Sequence, residues 1–123
     1  MTEKEYIELA NLLYPECQDI SFYLNKYPNR NVSGEVTRLG PSPTGYLHIG
    51  QVYQSIVHRM LANETNGIFY LRLEDTDSKR EVDYAGEIAY DMLTRLGLTP
   101  DEGYRGSNPE TGNYGPYKQS NRI

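Results

Sequence analysis

Apolar residues near the N-terminus recur at the spacing of amphipathic helices. Thr2 and Glu5 have the spacing of a capping box at the start of the first helix, and Asp19 is placed to cap a second, shorter one. Prolines, asparagines and a glycine follow from Pro28 and indicate a linker. We therefore predict a helical N-terminal extension and linker over residues 1–34.

The pattern then changes to strand, helix, strand. A run with β-branched residues at 35–39 predicts a short strand, and helical periodicity extends from Leu47 to about Asn66, with Gly67 as the C-cap. The nearly continuous apolar run 68–73 predicts a strand buried on both faces. The helix is expected to bury Leu47, Ile49, Val52, Tyr53, Ile56, Val57, Met60 and Leu61, and to turn Gln51, Gln54, Ser55, His58, Arg59 and Ala62 away.

This order predicts an α/β fold built on a parallel, right-handed βαβ unit. A further helix is expected from Asp83 to about Gly97. Beyond Leu98 the periodicity is lost, which predicts a loop to Tyr117 and then a helix capped by Ser120. A half-sheet of this kind would leave an edge exposed, through which we expect the chain to self-associate.

Composition narrows the class of protein. The hydrophobic fraction is 37%, the mean hydropathy is −0.70 and there are 12 tyrosines, whose hydroxyls need partners when the rings are buried. The net charge of −5 argues against a broad electrostatic surface for nucleic acid. The lone Cys17 allows no internal disulfide, and no cysteine–histidine set has the spacing of a zinc site. Without a signal peptide or a long apolar run, we expect a cytoplasmic protein with no membrane partner.

The candidate chemistry follows the two predicted strands. The turn 40–50 leaves the first strand and the acidic run 74–77 leaves the second, so both lie where open parallel sheets bind ligands. A helix N-terminus near His48 favours an anion, and carboxylates favour a cation. With Arg38 and Arg72 on the strands, this end of the sheet is suited to a small molecule that carries both charges.

Each of these residues also has a purely local interpretation. His48 alone could be a helix-start residue bonded to nearby backbone, and Ser42 could make a turn hydrogen bond. Arg38 could be a surface charge, and the carboxylates after the second strand could form a solvated turn.

Three runs in the sequence are specific enough to indicate a family. They are RLGPSPTGYLHIG at 38–50, YLRLEDTD at 70–77 and GPYKQS at 115–120. In order and approximate spacing they resemble glutamyl-tRNA synthetase, and the resemblance covers residues 35–123. It implies a Rossmann-like class I synthetase nucleotide fold, of which residues 35–123 would form a truncated first half.

The resemblance implies ATP-dependent activation of glutamate and its ligation to tRNA(Glu), with glutamate, ATP and that tRNA as partners. ATP would bring Mg²⁺, and no protein-bound structural metal is expected. The residues that match the family's motifs are Arg38, Ser42 and Glu74 for glutamate, Pro41, Thr44, Gly45, His48 and Gly50 for ATP, and Thr44 and His48 as the catalytic pair.

The sequence departs from the family in three ways. Gly40 stands where the family usually has alanine, Gln51 stands where glycine or histidine is common, and no lysine-loop motif for ATP is present. We therefore expect weak or no activity from residues 1–123 alone. The alternatives are a truncated, non-catalytic paralogue that binds ATP or a partner, a tRNA-modifying glutamyl transferase, and a nucleotidylyltransferase, although the last leaves the second and third runs unexplained.

Overall fold

The computed structural model describes residues 1–77 and 79–122. The chain forms two compact units, Met1–Asn31 and Val32–Ile123. The first unit is helical, and the second is mixed α/β with a four-stranded sheet. Within the described ranges, no helix has both the length and the apolar character needed to cross a bilayer.

The first unit consists of two helices, α1 (Glu3–Leu13) and α2 (Ile20–Lys26). The predicted capping box at Thr2 is confirmed, since its hydroxyl accepts from the Glu5 amide and the Glu5 carboxylate accepts from the Thr2 amide. The predicted cap at Asp19 is also confirmed, because its carboxylate accepts from the Ser21 amide at 2.8 Å. Neither helix contains a buried residue.

The second unit is built on the sheet. Its elements are β1 (Val36–Leu39), α3 (Ile49–Thr65), β2 (Ile68–Leu71), α4 (Ala85–Arg95), β3 (Glu102–Arg105) and β4 (Asn108–Thr111), followed by a 3₁₀ helix at Gln119–Arg122. The strand order is β1-β2-β3-β4, in which β1, β2 and β3 are parallel and β4 is antiparallel to β3. The predicted parallel βαβ unit is therefore confirmed, and a second crossover through α4 extends it.

The core lies on one face of this sheet. Leu39, Phe69 and Leu71 pack with residues of both α3 and α4, so both helices cover the same face. Because side chains alternate along a strand, Arg38 and Arg72 are directed to the opposite face. The sheet thus separates an apolar side from a side that carries charge.

The expected buried side of α3 is wrong. The fully buried residues are Ser55 and Ala62, whereas Ile49 is 83% exposed. Small side chains let a helix approach a sheet closely, and the buried Ser55 hydroxyl donates to the Gln51 carbonyl at 2.7 Å. Of the other residues in the predicted stripe, Leu47 is buried as expected and Val52 packs partly buried against the core. The exposed ones are Tyr53, Ile56, Val57, Met60 and Leu61.

Three boundaries also differ from expectation. The left-handed residue after α3 is Asn66, with φ of 53°, while Gly67 is needed because a Cβ there would overlap the Glu35 carbonyl. The second strand ends at Leu71, and only its alternate residues are fully buried. Helix α4 begins at Ala85, because Tyr84 adopts a left-handed conformation with φ of 62°.

The expected loop before Tyr117 is wrong in part, because it contains the hairpin of β3 and β4. Ser120 lies within the 3₁₀ helix instead of capping a following helix. Its hydroxyl is engaged elsewhere, as a donor to Asp75 at 2.6 Å.

Candidate active site

The turn between β1 and α3 alternates buried and exposed residues. Pro41, Pro43 and Leu47 are buried, and Ser42 and Thr44 are exposed between them. The prolines supply carbonyls to the rest of the fold, since Pro41 accepts from the Glu74 amide at 2.9 Å and Pro43 from the Val82 amide at 2.8 Å. These two backbone hydrogen bonds therefore fix the turn to the rest of the fold, and the Ser42 and Thr44 side chains are exposed to solvent.

Gly45 is required by backbone conformation. Its φ is +139°, a value that other residues rarely adopt, and a Cβ at this position would meet nothing within 4 Å. Glycine here lets the chain reverse towards α3 without filling the space above the turn.

His48 is the N-cap of α3. Its Nδ1 accepts from the Gly50 amide at 3.1 Å, and the Gln51 side chain accepts from the His48 amide at 3.1 Å. Because Nδ1 is an acceptor, the proton of the neutral ring is on Nε2, which is then a hydrogen-bond donor. The first turn of α3 contains no acidic residue, so the positive end of the helix dipole is not offset there.

A cleft of about 290 Å³ lies over this turn. Its apolar side is formed by Leu73, Ala85 and Ala89, and Arg80 reaches its rim. The Arg80 Nε contacts Asp77 at 2.7 Å, an interaction that lowers the pKa of Asp77. Five of the residues predicted for ligand binding line this cleft: Pro41, Ser42, Thr44, Gly45 and His48.

Gly50, which is also predicted to bind ATP, is not among the residues that line this cleft. It lies in the first turn of α3, where a Cβ would be 3.0 Å from the His48 ring. Its absence of a side chain leaves room for the histidine to fold back onto the helix N-terminus. Its structural contribution is thus to the orientation of His48.

Arg38, Arg72 and Glu74 form a charged cluster outside the lining of the cleft. The Arg38 Nη1 lies 2.8 Å from Glu74 Oε1, and the Arg72 Nη2 donates to the same oxygen at 3.0 Å. All three side chains are partly exposed. Gly40 connects the cluster to the cleft, because it lines the cleft and a methyl group there would be 2.5 Å from Glu74 Oε1.

Asp75, which follows Glu74 in the sequence, contacts the third sequence run. It accepts from the Ser120 amide at 2.9 Å and the Ser120 hydroxyl at 2.6 Å, and Lys118 lies 3.2 Å away. Burial alone would raise the pKa of Asp75, but the hydrogen bonds from Ser120 and Lys118 outweigh it and hold the pKa below its ordinary value. The hydrogen bond to Asp75 raises the pKa of Lys118.

The three sequence runs thus meet at one end of the sheet. Leu73 donates to the Tyr117 carbonyl at 2.8 Å and accepts from the Gln119 amide at 2.9 Å, which adds the third run to the second. Sequence reasoning missed this role of Asp75, since Ser120 is 45 residues away. It also missed the pairing of His48 with Gln51, although their three-residue separation is that of a capping box.

Metal ligands are not grouped in this region. Within residues 1–77 and 79–122, no three histidine, cysteine or acidic residues are arranged to hold an ion. The positive groups around the turn, namely the start of α3, the His48 N–H and Arg80, instead suit an anion.

Comparison with known proteins gives a consistent result. Residues 35–123 match the family model described as class I tRNA synthetases (E and Q), catalytic domain. Glutamate–tRNA ligase of Acetivibrio thermocellus is 48% identical over 123 residues, covering 97% of this chain and 22% of the relative. The Clostridium perfringens (strain 13) enzyme is 46% identical over 121 residues, covering 96% and 22%.

A solved structure agrees with these relatives. The crystal structure of a glutamate tRNA ligase from Elizabethkingia meningosepticum, in complex with its amino acid, matches with a TM-score of 0.63 and 38% identity. The match covers 71% of this chain and 16% of that one. The chain spans about a fifth of the length of the curated relatives it matches.

Proposed function

The chain belongs to the family of class I tRNA synthetases (E and Q), catalytic domain, and from this premise we propose that it provides the glutamate-binding and phosphate-binding part of a glutamate–tRNA ligase. The observation that carries the proposal is that Glu74, paired with Arg38, lies against Gly40, which lines the cleft that His48 borders. A site for an amino acid and a site for phosphates are thereby adjacent. Their adjacency is what adenylate formation requires.

The charges of the cluster support glutamate as the amino acid. Arg38 and Glu74 carry charges opposite to those of the side-chain carboxylate and the α-ammonium of glutamate. Arg38 would bind the side-chain carboxylate, because a guanidinium pairs with a carboxylate through two parallel hydrogen bonds. Glu74 would bind the α-ammonium, and the exposed Ser42 hydroxyl would supply a further hydrogen bond.

The cleft supports ATP as the second substrate. Pro41, Thr44 and Gly45 would shape the phosphate site, with Gly50 orienting His48. As the glutamate carboxylate attacks the α-phosphorus, the bond to pyrophosphate breaks and negative charge increases on the phosphates. The His48 N–H, the Thr44 hydroxyl and the start of α3 would stabilise that charge. No covalent intermediate on the protein is required.

The remaining parts of the reaction are proposed from the family. Class I tRNA synthetases use ATP and Mg²⁺, and here Mg²⁺ would be held mainly by the phosphates of ATP. Transfer of glutamate to tRNA(Glu) and a cytoplasmic location belong to the same proposal. The outer edge of β1, which has one strand neighbour among the described strands, supports self-association of the isolated chain.

A chimera tests this function. Residues 1–123 would replace the matching segment of the Acetivibrio thermocellus ligase, and glutamate-dependent ATP–pyrophosphate exchange would be measured with and without tRNA(Glu). We expect exchange by the chimera and little or none by residues 1–123 alone. ATP binding without exchange by a folded chimera would contradict the enzymatic function and favour a non-catalytic binding module.

Arg38→Gln in the chimera tests the amino-acid site. Loss of a bidentate charged contact should raise the KM for glutamate by tenfold or more, and leave the KM for ATP within about twofold. Arg95→Gln is the matched control, since this arginine lies on α4 in an exposed pair with Asp91. An unchanged KM for glutamate in Arg38→Gln would show that Arg38 does not bind the substrate.

A further inference from the structure

Two arginines share one oxygen of Glu74. Arg38 and Arg72 both approach Oε1, at 2.8 and 3.0 Å. In the described part of the chain, no side-chain hydrogen bond reaches Oε2 of this carboxylate, and the one from Arg72 is on Oε1. The carboxylate therefore accepts its hydrogen bond from Arg72 on one oxygen, which leaves the acceptor capacity of the other for a ligand.

The two arginine contacts are not equivalent. The Arg72 contact satisfies hydrogen-bond geometry, whereas the Arg38 contact is a close ion pair. Arg72 is also the less exposed of the two, with 23% of its side chain accessible against 38% for Arg38. Its Nε is buried and has no partner among the described residues, so this guanidinium is packed in place.

The cluster contains two guanidiniums and one carboxylate, so Glu74 keeps a cationic partner if one arginine moves away. If Arg38 turns to a substrate carboxylate, as the proposed function requires, Glu74 loses one of its two partners. We propose that Arg72 is a positioning residue for this site. It keeps Glu74 fixed by Oε1 while Arg38 pairs with the substrate, so that Oε2 faces the substrate ammonium.

This inference rests on the proposed function and predicts a selective defect. Arg72 acts through Glu74, and Glu74 is assigned to the ammonium. Loss of Arg72 should therefore weaken binding of L-glutamate and leave unchanged the binding of glutarate, which is glutamate without its amino group. A merely structural role of Arg72 would weaken both ligands together.

The experiment compares the KM for L-glutamate with the Ki of glutarate in the same chimera. Arg72→Gln should raise the KM about tenfold and change the Ki by less than twofold, whereas Arg38→Gln should weaken both ligands. Glu74→Gln should also raise the KM selectively. Adding Arg72→Gln to Glu74→Gln should then have little further effect, because both changes remove one contact to the ammonium.

Several outcomes would overturn the inference. Equal weakening of both ligands by Arg72→Gln would mean that Arg72 binds a carboxylate directly, and additive effects in the double variant would mean that it acts independently of Glu74. An unchanged KM in a folded Arg72→Gln protein would exclude any role. If that variant does not fold, Arg72→Lys retains the charge without the fork, and should give a smaller rise in KM with the same selectivity.

Failure of the proposed function has a different signature. A chimera with its Arg72 intact that shows no glutamate-dependent exchange would remove the proposed function, and this inference with it. Normal exchange combined with a wild-type KM for Arg72→Gln would remove only the inference. Arg95→Gln, which deletes a charge from an exposed pair, controls for net charge in every comparison.

Discussion

Replacement of Asp75 by asparagine tests how the third sequence run is held to the sheet. Only 2% of the Asp75 side chain is accessible, and it receives two hydrogen bonds from Ser120 and one ion pair from Lys118. Asparagine has nearly the same shape, so the change removes charge with little change in packing. Each hydrogen bond should lose about 1 kcal/mol of its charge-assisted strength.

The contribution of the Lys118 ion pair is limited, because its side chain is 34% exposed and solvent screens the pair. With about 1 kcal/mol for this contact, Asp75→Asn should lower the free energy of unfolding by about 3 kcal/mol at pH 7. The pKa of Asp75 lies below the ordinary value of 3.8, so its stabilisation is present above that pH. It is lost as the pH falls through the pKa of the folded state.

Urea unfolding followed by circular dichroism would measure both effects. The difference between the parent and Asp75→Asn should be about 3 kcal/mol at pH 7 and should shrink as the pH falls below 3.8. Asp91→Asn, which breaks an exposed pair on α4, should change stability by no more than about 0.5 kcal/mol. A difference that stays constant between neutral and acid pH would refute the assignment of this stability to the Asp75 carboxylate.

Two further substitutions test the turn and the sheet. In the chimera, His48→Ala should lower the thermal stability because α3 loses its N-cap, and His48→Asn should keep most of that stability because asparagine can cap a helix. Both variants should have lost ATP–pyrophosphate exchange, because neither side chain places a hydrogen-bond donor where Nε2 of His48 lies. Full exchange by His48→Asn would assign His48 a capping role only. Gly103→Ala should lower the free energy of unfolding of the 123-residue chain, measured in urea, by about 2 kcal/mol or more. The φ of Gly103 is +116°, and a Cβ there would overlap the backbone of Leu71. A loss under about 0.5 kcal/mol would show that β3 can move away from β2.

Features set by neighbouring residues could be predicted from the sequence. The caps at Thr2 and Asp19 depend on side chains within three residues of the helix start, and both are confirmed. The βαβ unit follows from two strand-like runs around a helical one. The residues assigned to the cleft are close in sequence, so one turn brings them together.

Features set by distant contacts could not be predicted in this way. The helical period identifies a stripe on α3, but it does not say that the small residues Ser55 and Ala62 are the ones that meet the sheet. The hairpin of β3 and β4 is too polar to carry an apolar signal, and Pro109 lies within its second strand. The sharing of Glu74 Oε1 by two arginines depends on the register of β1 and β2 and on side-chain geometry.

The backbone bonds from Leu73 to Tyr117 and Gln119 have a consequence for the order of folding. They close a loop comparable to the 45 residues that separate Asp75 from Ser120, and the entropy of closing such a loop must be overcome before its contacts stabilise the chain. The unit of β1, α3 and β2 involves shorter separations and is synthesised first. We therefore expect Asp75 to stay a solvated carboxylate during folding until residues 115–120 dock beside it.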